Sequence, residues 1–395
     1  MLNIPLSGIK KIEAIAQSSP EYISLSQGAL KVGGIPQQIK QYVQSVLNTD
    51  KTDYYQSAWG IMELRKKLSE VLSAENKTKI SPDQIIVTHG CIGALSTFLF
   101  TVLNQGDEVI LPEPTYPAYE KLALLVRAKP VFVSLRDASM RLRRRLSYGA
   151  QAGRTENDWY LDIEKIKKAT TPRTKVIIFS NPWNPLGIVV PQKTILELKE
   201  WCEENKIYML VDEAYKEYAF DDSYQSVVPL VNQSDFVVAA ASFSKNTGMS
   251  GWRVGYMVVP PQLCKNLGTT QDAMLNCPNV PAQHAAVYAL DHPEFTQHFH
   301  QIIKNNLEIT NKELKPLIQK KIFSYQQPKG SFFIFLKTEF PDATDFGMDI
   351  LSKAKVSLVP GKFFGQSGAP FLRLCYARDT EILQEGLQRL VKYFL

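Results

Sequence analysis

The stretch Ala241-Ser242-Phe243-Ser244-Lys245-Asn246-Thr247-Gly248-Met249-Ser250-Gly251-Trp252-Arg253-Val254-Gly255-Tyr256 decides how this chain is read. It follows a short apolar run, Phe236 to Ala240, of a length that suits a buried strand rather than a helix. A loop of small residues then carries one lysine between two serines and an asparagine. An arginine stands eight residues on, just before a second strand-like run, Val254 to Val259. A sheltered amine with hydroxyls and a guanidinium nearby is equipped to form a Schiff base to an aldehyde beside a phosphate. A lone lysine is ordinarily a solvated loop residue, so the choice turns on the rest of the chain.

At 395 residues the chain exceeds the size at which one hydrophobic core stops growing, which predicts two domains. Its composition, 45% apolar and 21% charged, is that of a globular protein rather than a disordered one. No apolar stretch approaches the ~18 residues of a membrane-spanning helix, and the start lacks the basic and apolar regions of a secretory signal. The five cysteines (91, 202, 264, 277 and 375) are scattered, without a C-x-x-C pair. That pattern suits a reducing cytoplasm and argues against a disulfide framework or a metal site. The net charge of +6 is local: residues 136–155 hold six arginines against one acid, Asp137. This segment reads as a solvated surface insertion rather than a nucleic-acid site.

From Ile85 onward, short apolar strands alternate with amphipathic helices. The strands are Ile85–Thr88, Glu108–Leu111, Val131–Val133, Lys175–Phe179 and Ile207–Val211. The alternation predicts an α/β fold whose large domain has a mostly parallel sheet covered by helices on both faces. A smaller α+β domain is built from both termini. The boundaries read from the sequence are 48–280 for the large domain, with the basic insertion near 136–158, and 1–47 with 281–395 for the small one. Ligands of such sheets bind at the carboxyl ends of the strands.

The residues that stand out fall at those ends. Gly90-Cys91-Ile92 opens a helix after a strand, where free N–H groups attract an anion; the spacing is neither that of a Walker loop nor the full dinucleotide fingerprint. Asp212 ends a strand, and its carboxylate suits either a protonated ring nitrogen or a helix N-cap. Asn181 to Gly187 contains two Asn-Pro pairs that stiffen a loop and present an amide. Tyr116 suits stacking on a heteroaromatic ring or plain core packing. Arg373, inside an apolar strand, requires a carboxylate partner, supplied by the protein or by a substrate.

Taken together and in order, these motifs resemble the class I/II pyridoxal-phosphate aminotransferases of fold type I. The resemblance runs through Ser24 to Gly28, Tyr55 with Gly60, Asn184-Pro185-x-Gly187, Asp212-x-x-Tyr215, Ser242-x-Ser244-Lys245 with Gly251 to Gly255, and Arg373-Leu374. It implies that Lys245 is the Schiff-base lysine, which moves the proton between Cα and the cofactor's C4′. Asp212 then pairs with the pyridine nitrogen, and Asn184 and Tyr215 donate to the ring oxygen. Tyr116 stacks on the ring, while Gly90, Cys91, Ile92, Ser242, Ser244 and Arg253 form the phosphate cup. By the same resemblance, Arg373 grips the substrate carboxylate, Gly28 lies beside the substrate, and Tyr55 reaches the phosphate of a partner subunit in a homodimer with shared active sites. Three positions depart from the family pattern: Leu186 in place of a common threonine, Ile92 where aspartate-active relatives can carry lysine, and the arginine-rich insertion.

The function this implies is transfer of an amino group between an L-amino acid and a 2-oxo acid in the cytoplasm. A pyridoxal-phosphate lyase acting by β- or γ-elimination is the alternative on the same fold. A non-catalytic cofactor- or nucleic-acid-binding protein is the third reading, disfavoured by an intact catalytic set.

Overall fold

The structure, a computed structural model, describes residue 4 and residues 7–137, 159–220 and 222–395. The five arginines from 141 to 154 lie outside the described residues. The chain on either side of that segment pairs antiparallel, Arg136–Asp137 against Trp159–Tyr160.

Seven apolar runs form one sheet: β1 (Ile85–Thr88), β2 (Glu108–Glu113), β3 (Lys129–Ser134), β4 (Thr174–Ser180), β5 (Tyr208–Asp212), β6 (Val237–Ser242) and β7 (Gly255–Val258). Their order across the sheet is β1-β7-β6-β5-β4-β2-β3. Every neighbouring pair is parallel except those of β7, which runs antiparallel to both β1 and β6. Both faces are covered, which is why the central strands are continuously apolar. Ile86, Leu111, Ile178, Leu210 and Ala240 face a core that includes side chains of the helices Gly90–Val102, Ala118–Leu125 and Pro261–Leu275. Val87, Ile110, Ile177, Met209 and Val211 face the other way, onto the helices Met62–Asn76, Gln192–Asn205 and Val280–Asp291.

A second, antiparallel sheet contains β8 (Phe333–Lys337), β9 (Val359–Pro360) and β10 (Phe371–Cys375), with β10 in the middle. Its core is shared with Leu25 near the start of the chain and with the helices Glu294–Gln319 and Thr380–Phe394. The helix Gln37–Leu47 contributes Ile39 and Val43 to the core of the large sheet instead.

Two local expectations are corrected. The run Ile23 to Gly28 reads from the sequence as a short strand ending at a glycine, but only Ile23–Ser24 is one, paired with Val356–Ser357; beyond it the backbone carbonyls of Ser26, Gln27 and Gly28 accept from side chains. The small-residue loop holding Lys245 is a single helical turn, Phe243–Asn246, whose N-cap is Ser242. A serine at that position accepts an N–H that the turn itself cannot satisfy.

Gly255 opens β7 opposite both Thr88 and Ser242. A Cβ there would lie 2.6 Å from the carbonyl oxygen of Ala241 and 2.7 Å from the carbonyl carbon of Gly90. Gly255→Ala is therefore expected to cost about 1–3 kcal/mol by overpacking, measured by urea unfolding. An unchanged midpoint would show that the strand seat is not tight.

Candidate active site

Because β7 runs against its neighbours, its first residues meet the carboxyl ends of β1 and β6 at one edge of the sheet. At that edge lies a cavity of about 440 Å³, a size typical of a small-molecule site. Its wall includes Gly28, Cys91, Ile92, Tyr116, Asn184, Asp212, Tyr215, Ser242, Ser244, Lys245, Arg253 and Arg373.

Asp212 is placed by strand periodicity. Residues two apart on a strand share a face, so Asp212 points to the same side as Leu210, toward the helix Gly90–Val102. It is only 5% exposed, and its carboxylate accepts three hydrogen bonds. The Cys91 thiol (3.1 Å) and the Ala214 N–H (3.0 Å) donate to Oδ1, and the Tyr119 hydroxyl (2.8 Å) donates to Oδ2. Burial raises its pKa, and these donors and Lys245 oppose the rise. Burial first, and then the Asp212 charge, push the Cys91 thiol and Tyr119 phenol well up, so both remain protonated donors.

Lys245 lies in the turn after β6. Its Nζ donates to the carbonyl of Gly28 at 2.5 Å, and Tyr218 donates to the Lys245 carbonyl at 2.7 Å. Burial, helped by the guanidinium charges of Arg373 and Arg253, pushes the ammonium down to about 8, against the pull of Cys375 and Asp212.

One end of the cavity is built for an anion. Arg253, at φ +59°, donates to the carbonyls of Ser250 (2.8 Å) and His89 (3.0 Å), with Ser244 Oγ at 3.5 Å. The Ser242 hydroxyl donates to Ser244 Oγ at 2.8 Å. The first N–H groups of the helix Gly90–Val102 have no intrahelical acceptor and carry the positive end of its dipole. Gly90 adopts φ +74°, and a Cβ there would stand 2.5 Å from Arg253 Nη2, so only glycine leaves room for the guanidinium. Gly90 thus shapes this end without lining the cavity.

Arg373, on β10, comes from the smaller sheet. Its Nη1 donates to Asn184 Oδ1 at 3.0 Å and its Nη2 to the Ser26 carbonyl at 2.5 Å. The buried Nε has no partner, and burial lowers the guanidinium pKa to about 10. None of the ion pairs among the described residues involves Arg373. Among the described residues a protein carboxylate is thus not its partner, and an amide and a carbonyl accept from it instead. Asn184 also donates from Nδ2 to the Tyr215 hydroxyl at 3.4 Å. The loop that presents Asn184 is sealed by Trp183, whose Nε1–H donates to the Pro114 carbonyl at 2.7 Å.

Tyr55 is the expected site residue that stands apart. It is 84% exposed and lines a separate surface depression with Cys277 to Pro281. Residues missed in the sequence reading also enter the cavity: Tyr119, Gln27 and, from the N-terminal segment, Ser7, Ile9 and Lys10. Tyr119 lies in the first turn of the helix Ala118–Leu125, three residues after Tyr116, which precedes that helix. No helix among the described residues is long and apolar enough to cross a membrane.

The family model for aminotransferases of class I and II matches residues 20–390. A probable aspartate/prephenate aminotransferase of Aquifex aeolicus is 32% identical, over 90% of this chain and 87% of its own length. The aspartate aminotransferase of Pyrococcus abyssi is 28% identical over 98% of this chain and 95% of its own. Among solved structures, the aspartate aminotransferase of Thermotoga maritima superposes with a TM-score of 0.87 at 26% identity, covering 99% of this chain and 98% of that one.

Tyr119→Phe removes one of three donors to a buried carboxylate. It is expected to destabilise the cofactor-free protein by about 1–3 kcal/mol, read by urea unfolding at neutral pH. No loss of stability would mean that Asp212 does not depend on that bond.

Proposed function

The chain belongs to the class I and II aminotransferases, pyridoxal-phosphate enzymes that transfer an amino group between an amino acid and a 2-oxo acid; we propose that the cavity at the sheet edge is the seat of that transfer, with Lys245 as its proton carrier. The observation that carries this reading is the meeting of an amine held near pKa 8 and a buried, triply hydrogen-bonded carboxylate in one cavity.

The residues suit the cofactor on chemical grounds. The helix end at Cys91 and Ile92, with Ser242, Ser244 and Arg253, makes a pole for the phosphate. Asp212 supplies the negative charge that would keep a ring nitrogen protonated. Tyr116, an aromatic side chain in the cavity wall, suits stacking on the ring, and Asn184 and Tyr215 are the donors for a ring oxygen. When bound, pyridoxal phosphate supplies an aldehyde for the amino group and a ring that withdraws the electrons left when the Cα–H bond breaks.

The protein's own residues do the rest. Arg373 receives the α-carboxylate of the substrate with its free donor capacity, and Gly28 leaves the space beside it open. Lys245 moves the proton at the substrate Cα; its lowered pKa leaves a working fraction of free amine at neutral pH. Tyr55, exposed and outside its own cavity, serves the phosphate end of a second subunit, so that the active unit is a homodimer. The cores on the two faces of the large sheet support a large cofactor-binding unit, and the third, which joins Ile23 and Leu25 to the C-terminal helices, supports a small unit drawn from both ends of the chain. The five free cysteines suit the cytoplasm.

The direct test is to incubate the purified, cofactor-loaded protein with 2-oxoglutarate and each of the twenty L-amino acids. Glutamate formed together with the matching 2-oxo acid is expected. Release of ammonia without amino transfer would contradict the reading. Lys245→Ala is expected to lower transfer by about 10²–10⁴-fold and to abolish the visible band of the covalently held cofactor; a surviving band would reassign the lysine.

Cofactor capture depends on the free amine, so its pH dependence follows from the pKa of Lys245. The capture rate of the cofactor-free protein should rise with pH up to about 8 and level off above it. Stopped-flow absorbance checks this. A rate still climbing toward pH 10 would indicate an ordinary, solvated lysine.

A further inference from the structure

Two aromatic rings sandwich the guanidinium of Arg373, and they are held in different ways. Its carbon lies 4.3 Å from the ring centroid of Phe333 and 4.7 Å from that of Phe364. Phe333 is fixed by strand register, because β8 pairs with Arg373's own strand. Phe364 has no strand to fix it. It ends the turn Gly361–Phe364, which Gly365 joins to a second turn, Gln366–Gly368.

This loop is held by Glu113, the last residue of β2 in the large sheet. Its carboxylate accepts the N–H of Gln366 at 2.9 Å, the N–H of Ser367 at 3.4 Å and the hydroxyl of Ser134 at 3.2 Å. Two residues on, the N–H of Thr115 donates to the Phe364 carbonyl at 2.7 Å. Gly365 sits at φ +124°, and a Cβ there would collide with Glu113 Oε2. Glu113 is buried, and none of the ion pairs among the described residues includes it. A buried carboxylate with neutral donors alone is costly to keep, and here those donors include two N–H groups of one loop from the other sheet.

We infer that Glu113 is a positioning residue for amino-group transfer: by fixing the loop Gly361–Gly368 it keeps Phe364 against Arg373 and holds the guanidinium ready for the substrate carboxylate. This rests on the reading of Arg373 as the carboxylate-binding arginine. The same short segment, Glu113-Pro114-Thr115-Tyr116, runs on into the cavity wall. One strand end therefore ties the ring that supports the arginine to the ring that faces the cavity.

The test compares cofactor-loaded wild type with Glu113→Gln, which keeps the side chain's size but turns an amide toward the loop's N–H groups. L-Glutamate, L-aspartate and L-phenylalanine serve as amino donors. The expected result is a KM raised about tenfold with kcat changed less than about twofold, since only the placement of a binding group is disturbed, and a cofactor spectrum like that of wild type. Phe364→Leu, which removes the ring but not the carboxylate, is expected to give the same split and stands as the test if Glu113→Gln does not fold. Reduced stability with KM unchanged in the folded variants would make Glu113 merely structural and overturn the inference, leaving the functional reading intact. A wild-type protein that turns over none of the donors would overturn both.

Discussion

A carboxylate taken out of water must be surrounded by donors, and the cavity is organised around that requirement at Asp212. Strand periodicity turns it toward two helices, where Cys91 of Gly90–Val102 meets it with a thiol and Tyr119 of Ala118–Leu125 with a phenol. Both donors are held protonated first by their own burial and then by the charge they solvate, so the arrangement is self-consistent. The donors compensate only in part, and the Asp212 pKa remains raised. A cation brought to this carboxylate completes what the protein leaves unfinished.

The rest of the cavity has the opposite polarity. Lys10, Lys245, Arg253 and Arg373 line it against Asp212, so it is shaped for a ligand with several negative groups and one positive one. The geometry follows from sheet topology. β7 enters between β1 and β6 against their direction, so its first residue faces Thr88 on one side and Ser242 on the other. That brings Arg253, Gly90 and Ser242 together although they are far apart in sequence. The eight-residue spacing from Lys245 to Arg253 is part of the connection between two neighbouring antiparallel strands. Lys245 and Arg253 line the same cavity because the chain turns back between them.

Much of this was legible because buried strands announce themselves as apolar runs, and their ends carry the polar residues that stand out. Asp212, Asn184 and Lys245 each follow such a run, and the family resemblance joined them into one site. What periodicity could not supply was direction: nothing in Val254 to Val259 distinguishes a parallel strand from an antiparallel one. The turn Phe243–Asn246 is too short for a 3.6-residue repeat to register, so it read as a loop. Tyr119 looked like one more aromatic on an amphipathic helix, because its role depends on a carboxylate 93 positions away. The contribution of Lys10 carried no signal at all, since an exposed lysine near a terminus is ordinary. Arg373 read as needing a carboxylate partner, and the protein around it offers an amide, a carbonyl and two rings instead.

The central claim is that Asp212 and Lys245 act on one proton, the carboxylate by charge and the amine by transfer. Exchange of the substrate's Cα–H for deuterium in heavy water isolates that event from later steps. Asp212→Asn keeps the size of the side chain and removes its charge. The account predicts exchange slowed by about 10²-fold or more in a variant that still binds the cofactor. Exchange at the wild-type rate, with the cofactor bound, would contradict it.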